Sequence, residues 1–317
     1  GNLFVEAFTS VEMSIQAAID AAESGKTVSV GAGTFAENII ANKSVILKGA
    51  NADVACGSRG TESVIAPASG LPVSVTADGV TINGFEITAP DNLNAINLSN
   101  TSSTSIKYNY IHDIATNLTG GGNAHAIINQ LNSTSSSSVS ITYNCIENIA
   151  NSGFSNYSAS AIGILQSTST GVLTDLFINN NTISSVTVNT ANWPTGKIAY
   201  GILLNTGSAN FTTTDGKIVD ALIEDNTISN LSGFISTAIG LEGNTENAEV
   251  SGNTVSNLTG YKLAGRAGGG YDLQALKFES NRYVGTVTVA NNSFQTNTFT
   301  FGASATENGY AVANYVP

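Results

Sequence analysis

The sequence predicts an all-β chain folded as a single right-handed parallel β-helix of about nine or ten coils. Three observations favour this solenoid. An Asn with apolar residues three positions before it and two positions after it occurs seven times. β-Branched residues and Asn dominate these repeats, whereas strong helix formers are scarce. The repeats lie 26 to 45 residues apart, which is typical of a coil of roughly 22–27 residues with loops added at some turns.

The repeated asparagines are predicted to stack at one corner of the coil. They are Asn83, Asn109, Asn144, Asn181, Asn226, Asn253 and Asn292. Equivalent residues on adjacent coils lie about 4.8 Å apart, so their side-chain amides can bond along the stack. Asn also tolerates the left-handed backbone conformation of a tight corner. We therefore interpret this ladder as structural and not as a ligand site.

The two ends of the chain are predicted to cap the stack. Residues 10–25 carry the one strong helix pattern, which Ser10 can cap and Gly25 can end. Such a helix would cover the first coil and protect its edge strands. The aromatic-rich segment 296–317 is expected to close the other end, so that residues 1–317 form one β-helix domain.

The chain resembles a known family over nearly its whole length, and the clearest motifs lie in its first third. The segment GKTVSVGAGTFAENIIANKSVILKGAN at 25–51 follows the helix pattern, and DGVTINGFEI follows at 78–87. This order resembles the opening of pectin-lyase-like right-handed parallel β-helix proteins, which are common among secreted bacterial proteins. The resemblance implies the fold but no single activity, because the fold carries lyases, hydrolases, epimerases, adhesins and non-catalytic modules.

Composition argues against several function classes. The 317 residues include 11 Lys and Arg against 23 Asp and Glu, which gives a net charge of −12. Nucleic-acid binding is not expected, since it needs clustered cations and no basic run is present. No apolar run approaches the ~20 residues of a membrane span, and no signal peptide is visible. The acidic, Lys-poor, Asn- and Thr-rich composition favours a secreted, extracellular or cell-surface protein.

Two cysteines, Cys56 and Cys145, leave two alternatives, a single bridge or two free thiols. Cys145 directly follows the ladder residue Asn144, so we expect it on an early coil wall. This placement favours free thiols, although the sequence does not fix the pairing.

The densest ionisable cluster expected on the coils centres on His112. Glu86, His112 and Glu147 each lie three positions after a ladder asparagine, so they should form one outward column. Asp113 and Lys107 should lie beside it. A His between carboxylates can act as an acid or a base, so Glu86, His112, Glu147 and Lys107 are the candidate catalytic residues. The alternative, which we favour, is a solvated column of mutually paired side chains.

Aromatic residues in the loops on one side of the solenoid are candidate carbohydrate contacts, because aromatic faces stack on sugars. These residues are Phe154, Tyr157, Trp193, Phe234, Tyr261 and Tyr271. The alternative is that the rings pack the loops onto the coil wall.

The leading functional hypothesis is a secreted or surface-attached module that binds a polysaccharide or cell-surface glycan, or acts in adhesion or structure, without its own catalysis. Self-association or attachment to a larger surface protein would suit such a module. The rival is a polysaccharide lyase or glycoside hydrolase acting in a lateral groove, but no full motif for either is visible. No metal or other cofactor is expected, with Ca²⁺ left open for the lyase alternative. Ice binding through hydroxyls at 182–184, 227–229 and 254–256 is a minor alternative.

Overall fold

The computed structural model of the chain shows a coil built from three parallel sheets. It describes residues 3–5, 14–118, 121–132, 134–151, 157–166, 170–188, 198–206, 216–262, 273–279, 286–295, 298–301 and 310–315. Every pairing between described strands is parallel, and the chain passes from sheet to sheet as it advances. This is the right-handed parallel β-helix that the sequence predicts.

Each sheet runs along the axis of the helix. The first sheet has 11 strands: β1 (Leu3–Val5), β2 (Lys26–Val30), β5 (Val45–Lys48), β8 (Thr81–Asn83), β11 (Thr104–Lys107), β14 (Ser136–Thr142), β17 (Val172–Asn179), β20 (Lys217–Glu224), β24 (Thr245–Glu246), β25 (Ala248–Ser251) and β29 (Val287–Ala290). The second has 12: β3 (Gly33–Phe35), β6 (Ser63–Ile65), β9 (Glu86–Ala89), β12 (Tyr110–Ile114), β15 (Cys145–Asn151), β18 (Thr182–Val188), β21 (Thr227–Ser229), β22 (Ser232–Gly233), β26 (Thr254–Ser256), β27 (Thr259–Lys262), β30 (Ser293–Gln295) and β31 (Thr298–Phe301). The third has nine: β4 (Ile39–Ala41), β7 (Val73–Val75), β10 (Asn94–Leu98), β13 (Ala124–Leu131), β16 (Ala159–Gln166), β19 (Ile198–Asn205), β23 (Ile235–Leu241), β28 (Leu273–Glu279) and β32 (Tyr310–Tyr315).

The core is a set of aliphatic columns that run along the inside of the helix. Side chains alternate along each strand, so every second residue points inward, and the parallel register stacks equivalent residues of successive coils on one another. In the third sheet, Ile127, Ile162, Ile202 and Ile239 follow one another on successive coils, and each is at most 1% exposed. Burial of one such side chain contributes about 1.5–3 kcal/mol, so the repeated column supplies much of the driving force for stacking.

A column of buried asparagines turns the corner between the first and second sheets. Asn109 Nδ2 donates to Asn144 Oδ1 at 3.1 Å, and Asn109 N donates to the same oxygen at 3.0 Å. The same two bonds repeat from Asn144 through Asn181, Asn226, Asn253 and Asn292. Each Nδ2 from Asn109 onward also donates to a backbone carbonyl of the preceding coil. The column thus satisfies backbone groups that the tight corner would leave unpaired.

Asn83 does not belong to this column, so its assignment to the ladder is wrong. The register pairs Asn83 with Lys107, and Phe85 occupies the ladder position, where its backbone N donates to Asn109 Oδ1 at 3.1 Å. Asn83 Nδ2 instead donates to Asp53 Oδ1 at 3.0 Å. The slip is two residues. Because side chains alternate with period two, both alignments bury apolar residues, and the hydrophobic pattern could not distinguish them.

One short helix, α1 (Ile15–Ala21), precedes the coils. Its N-cap is Ser14, whereas the sequence predicted a helix over 10–25 with Ser10 as the cap; Ser10 lies outside the described residues. Glu37 explains the later start, because its carboxylate accepts from the first two backbone N–H groups of the helix at 2.7 and 3.1 Å.

The helix covers the N-terminal edge of the third sheet. Gln16 Oε1 accepts from Ile40 N at 2.7 Å, and Gln16 Nε2 donates to Ile40 O at 3.2 Å. Lys43 Nζ ties the helix down further by donating to Asp20 O at 2.8 Å. The amide of Gln16 therefore occupies the backbone groups with which another chain would pair at Ile40.

Residues 49–62, which we call the strap, connect β5 to β6 and lie across neighbouring coils. Arg59 donates to backbone carbonyls on two different coils at 2.5 and 3.2 Å. Gly84 lies beneath the strap, where an added Cβ would be 2.1 Å from Ala52 N. A side chain at Gly84 would therefore push the strap away from the coil.

The strap also brings the two cysteines together. Cys56, in the strap, forms a disulfide with Cys145 at the start of β15, and their Cα atoms lie 5.8 Å apart. The expectation of free thiols is therefore wrong. Cys145 does lie on a coil wall, as expected, but the pattern of the repeats does not show that the strap passes over this wall.

At the C-terminal end, β31 and β32 add strands to the second and third sheets within the segment that was predicted to close the stack. The organisation of residues 1–317 as one domain stays a prediction. Within the described residues, no helix has the length and apolar character needed to cross a membrane.

Candidate functional site

The predicted column around His112 is present, but its geometry differs from the prediction. His112 pairs with Glu147 in the strand register, whereas Glu86 pairs with Tyr110, two residues away. This follows from the two-residue slip at the ladder. Glu86 nevertheless reaches across, and its Oε1 lies 3.1 Å from His112 Nε2. Asp113 Oδ2 lies 2.8 Å from His112 Nδ1, so both ring nitrogens face a carboxylate.

Tyr110 completes this His112 cluster. Its hydroxyl donates to Glu147 Oε1 at 2.5 Å, and its ring stacks on His112 with centroids 4.2 Å apart. Burial raises the pKa of Tyr110, and the bond to Glu147 raises it further, so the phenol stays protonated and remains a donor. Asn148 also donates to Asp113. The cluster therefore satisfies its polar groups with its own neighbours, and no group of three potential metal ligands exists among the described residues.

Lys107, the fourth candidate catalytic residue, forms an ion pair with the strap. Its Nζ lies 2.8 Å from Asp53 Oδ1 and 5.7 Å from the centroid of the Tyr108 ring. The Lys107 hydrogen bond lowers the pKa of Asp53, so this surface pair is formed by a charged carboxylate. Tyr108 in turn stacks on Tyr143 of the next coil, with ring centroids 4.8 Å apart. These contacts give Lys107 a structural partner set distinct from that of His112.

The six aromatic residues predicted to contact carbohydrate differ in their burial and in whether the structure describes them. Phe234 is only 3% exposed, so its ring offers no face to a sugar and the prediction is wrong for this residue. Tyr157 is half-buried beside Gly121, where a Cβ would lie 2.2 Å from the Tyr157 ring. The remaining four lie in positions whose side chains are outside the described part of the chain: Phe154, Trp193, Tyr261 and Tyr271.

A column of polar side chains on the third sheet was missed by sequence reasoning. The strand register places its members side by side on six successive coils: Asn94, His125, Ser160, Tyr200, Thr237 and Gln274. Five strand spacings make this column about 24 Å long. Its sequence signal is a polar residue directly before an Ala-Ile pair, which occurs at Asn94, His125, Ser160 and Thr237, but the type of polar residue changes from coil to coil.

Two clefts lie along this column, and we call the column and its clefts the third-sheet groove. The first cleft has a volume of about 350 Å³ and is lined by Asp91, Asn92, Leu93, Asn94, Leu118 and Gly121. The second has a volume of about 290 Å³, and polar and apolar residues of four successive coils line it: Asn123, His125, Ser158, Ala159, Ser160, Leu165, Tyr200, Leu203, Asn205 and Glu242. Concave sites that mix apolar walls with a few fixed polar groups are typical ligand sites.

A serine and a histidine meet inside the second cleft. Ser160 Oγ lies 2.7 Å from His125 Nδ1, and both residues line the cleft although they are almost fully buried. Burial lowers the pKa of His125 to about 4, so its imidazole is neutral at neutral pH and can accept the Ser160 proton. Gly163 lies close against the pair, and a Cβ there would crowd it at 3.1 Å from both His125 Nδ1 and Ser160 Oγ.

The other end of the second cleft carries a buried carboxylate. Glu242 is 5% exposed and its Oε1 accepts from Tyr200 at 2.6 Å and from Lys277 Nζ at 2.5 Å. Asn205 Nδ2 approaches its second oxygen at 3.5 Å. The ammonium of Lys277 offsets the charge of Glu242, as a buried carboxylate requires. The cleft thus holds a neutral Ser–His pair at one end and a compensated ion pair at the other.

The fold and groove define a parallel β-helix with a lateral groove on one sheet, and the resemblance to pectin-lyase-like proteins is confirmed at the level of fold. No protein-family model and no curated protein sequence matches the chain. Among solved structures, an alginate lyase from Paenibacillus sp. str. FPU-7 is similar over 95% of this chain and 99% of that one, at 15% identity and a TM-score of 0.39. A lacto-N-biosidase from Eubacterium ramulus is similar over 94% of this chain and 67% of that one, at 11% identity and a TM-score of 0.40. A pectin methylesterase from Aspergillus niger is similar over 100% of this chain and 92% of that one, at 12% identity and a TM-score of 0.37. These likenesses concern the fold alone.

Proposed function

We propose that this chain is a glycan-binding β-helix and that a linear carbohydrate lies in the third-sheet groove. The observation that carries the proposal is the in-register column of six polar side chains with two clefts along it. A linear polymer matches this geometry, because equivalent positions repeat along the axis at about 4.8 Å.

The chemistry of the groove suits a sugar. Asn123, Ser158 and Asn205 supply amide and hydroxyl groups to the second cleft, and leucines supply apolar wall. In the first cleft, Asn94 Oδ1 is buried without a hydrogen-bond partner in the described structure. An unpaired buried acceptor is costly, and a ligand hydroxyl is a suitable donor for it. Sugars combine hydroxyl groups with apolar C–H faces, which is the combination that these walls present.

Secretion to the extracellular space or the cell surface is part of the proposal. The Cys56–Cys145 disulfide supports it, because such bonds persist in oxidising compartments and are rare in the cytosol. The acidic composition, with a net charge of −12, is compatible with this environment and gives no attraction to nucleic acid.

A polysaccharide panel tests the proposal by affinity electrophoresis and calorimetry. Asn123 is exposed at the second cleft, so Asn123→Trp should fill the cleft without disturbing the core. We expect its Kd for the retained polymer to rise at least about tenfold, equivalent to ~1.4 kcal/mol. Thr227→Trp, at an exposed position on the second sheet, is the matched control and should bind like the wild type.

The same panel separates the other functions. Equal affinity of Asn123→Trp and wild type, with unchanged thermal midpoints, would remove the groove as the binding site. Release of reducing ends or unsaturated uronides would replace the binding proposal with the hydrolase or lyase alternative. Thr227 lies in the middle of the in-register hydroxyls proposed for ice binding, so thermal hysteresis that is lost in Thr227→Trp would favour that alternative.

A further inference from the structure

We infer that Ser160 and His125 form a nucleophile–base pair that hydrolyses ester groups on the glycan held in the third-sheet groove. The substrate class is an O-acylated carbohydrate, of which an acetylated polysaccharide is the simplest example. The choice of a carbohydrate rests on the proposed function, whereas the ester chemistry rests on the pair itself.

The fold holds the pair in position. His125 and Ser160 occupy paired positions on β13 and β16, so the strand register fixes their backbones side by side. Their side chains meet at 2.7 Å, within the range expected of a nucleophile and its general base. Gly163 keeps both polar atoms uncrowded, because a Cβ at this position would lie only 3.1 Å from each of them. Both residues line the cleft that the glycan is proposed to occupy.

The surroundings keep the imidazole neutral. Asn94 lies beside His125 on the preceding coil, and Ser160 lies beside it on the following coil, so neither strand neighbour carries a charge. Besides His125, the ionisable residues that line the cleft are Tyr200 and Glu242. They lie farther along it, where Tyr200 and Lys277 both donate to the Glu242 carboxylate. The low pKa of His125 comes from burial, and it keeps Nδ1 available as a proton acceptor down to about pH 4.

The reaction balances with water as the only co-reactant. Ser160 Oγ attacks the acyl carbon while His125 Nδ1 takes its proton. The imidazolium then returns this proton to the departing sugar oxygen, which leaves as a free hydroxyl, and the acyl group remains on Ser160. Water attacks the acyl-serine with His125 again as the base, and the carboxylic acid departs as Ser160 recovers its proton. No metal or redox partner takes part.

Acetate release from p-nitrophenyl acetate and from acetylated xylan tests the inference. We expect Ser160→Ala and His125→Gln to lower kcat/KM by at least about 100-fold, since general-base assistance typically contributes 10²–10⁴. Ser236→Ala is the matched control, because Ser236 is also fully buried on the third sheet but donates to a backbone carbonyl at 2.7 Å. It should keep the wild-type rate. The acidic limb of the pH profile should lie closer to pH 4 than to 6.5.

A fluorophosphonate probe on the wild-type chain gives a readout that does not depend on the folding of a variant. A single adduct on Ser160, found by mass spectrometry, supports the pair, whereas no adduct or an adduct on another serine overturns it. Absence of acetate release, or a fully active Ser160→Ala, also overturns the pair. If glycan retention by the groove persists in that case, the proposed function stands. Serine-dependent cleavage of the small ester without retention of any polymer would instead refute the glycan assignment.

Discussion

Loss of the Cys56–Cys145 disulfide should lower the free energy of unfolding by about 4–5 kcal/mol. The bridge joins residues separated by 89 positions, and the loop-closure entropy of a loop of this length gives that magnitude at 25 °C. The folded state should change little, because Arg59 and Asp53 hold the strap to the coils by other contacts. The bond therefore acts mainly by restricting the unfolded chain.

Urea unfolding followed by circular dichroism measures this effect. The wild type is compared with and without reductant, and with the double variant Cys56→Ser/Cys145→Ser. Reductant should lower the wild-type midpoint to that of the double variant, and it should leave the double variant unchanged. The slope of the transition should be lower for the oxidised wild type than for the reduced wild type and the double variant, because the bridge keeps the unfolded chain more compact.

Two results would refute this reasoning. Titration of two free thiols in denaturant without reductant would show that the bridge is absent. A wild-type midpoint that does not respond to complete reduction would show that the strap contacts alone restrict the unfolded chain or that the loop is already ordered there.

Three further predictions concern the column, the core and the groove. Asn226→Ala removes amide bonds to Asn253 and leaves backbone groups unpaired, so calorimetric unfolding should show a loss of roughly 1–3 kcal/mol; an unchanged midpoint would contradict a structural column. Ile228→Ala, at a fully buried site, should cost about 2–5 kcal/mol by the same measurement, and a loss below ~1 kcal/mol would place this side chain outside the core. His125 gains a proton in the unfolded chain below about pH 6.5 but in the folded chain only near pH 4, so stability should fall as the pH is lowered through this window, by up to about 3 kcal/mol. Denaturation of His125→Gln across the same pH range is the comparison, and an equally steep fall in the variant would assign the effect to carboxylates.

The fold could be predicted from sequence because its main determinants are local and repeated. The corner asparagines and the aliphatic residues around them recur on successive coils, and stacking gives every copy the same environment. Register at the first repeat could not be predicted in this way. Asn83 and Phe85 differ by two positions, and a strand of period two buries the same face in either alignment. The strap distinguishes the two alignments, because Asp53 of the strap takes up both hydrogen-bonding atoms of the Asn83 side chain.

Part of the candidate site could also be predicted. The meeting of Glu86 and His112 was expected, and it occurs because long side chains reach diagonally across a one-coil step. The third-sheet groove was missed for a different reason. The column members recur at one position, but their residue types differ from coil to coil, so the repeat does not single out His125 and Ser160. Their burial also depends on connections whose course the repeats do not specify.

The location of the groove follows from the lengths of the connections. Between the first and second sheets only two residues separate the strands of most coils, as at 108–109 and 143–144, and a two-residue corner cannot build a wall. The third sheet is reached through longer connections such as 115–123, and residues of that connection line both clefts. The corner asparagines therefore maintain the stack on one side, while connections on the other side vary without disturbing it. This division explains why the cluster at His112, next to the tight corner, is satisfied by its own neighbours, whereas the clefts lie on the third sheet.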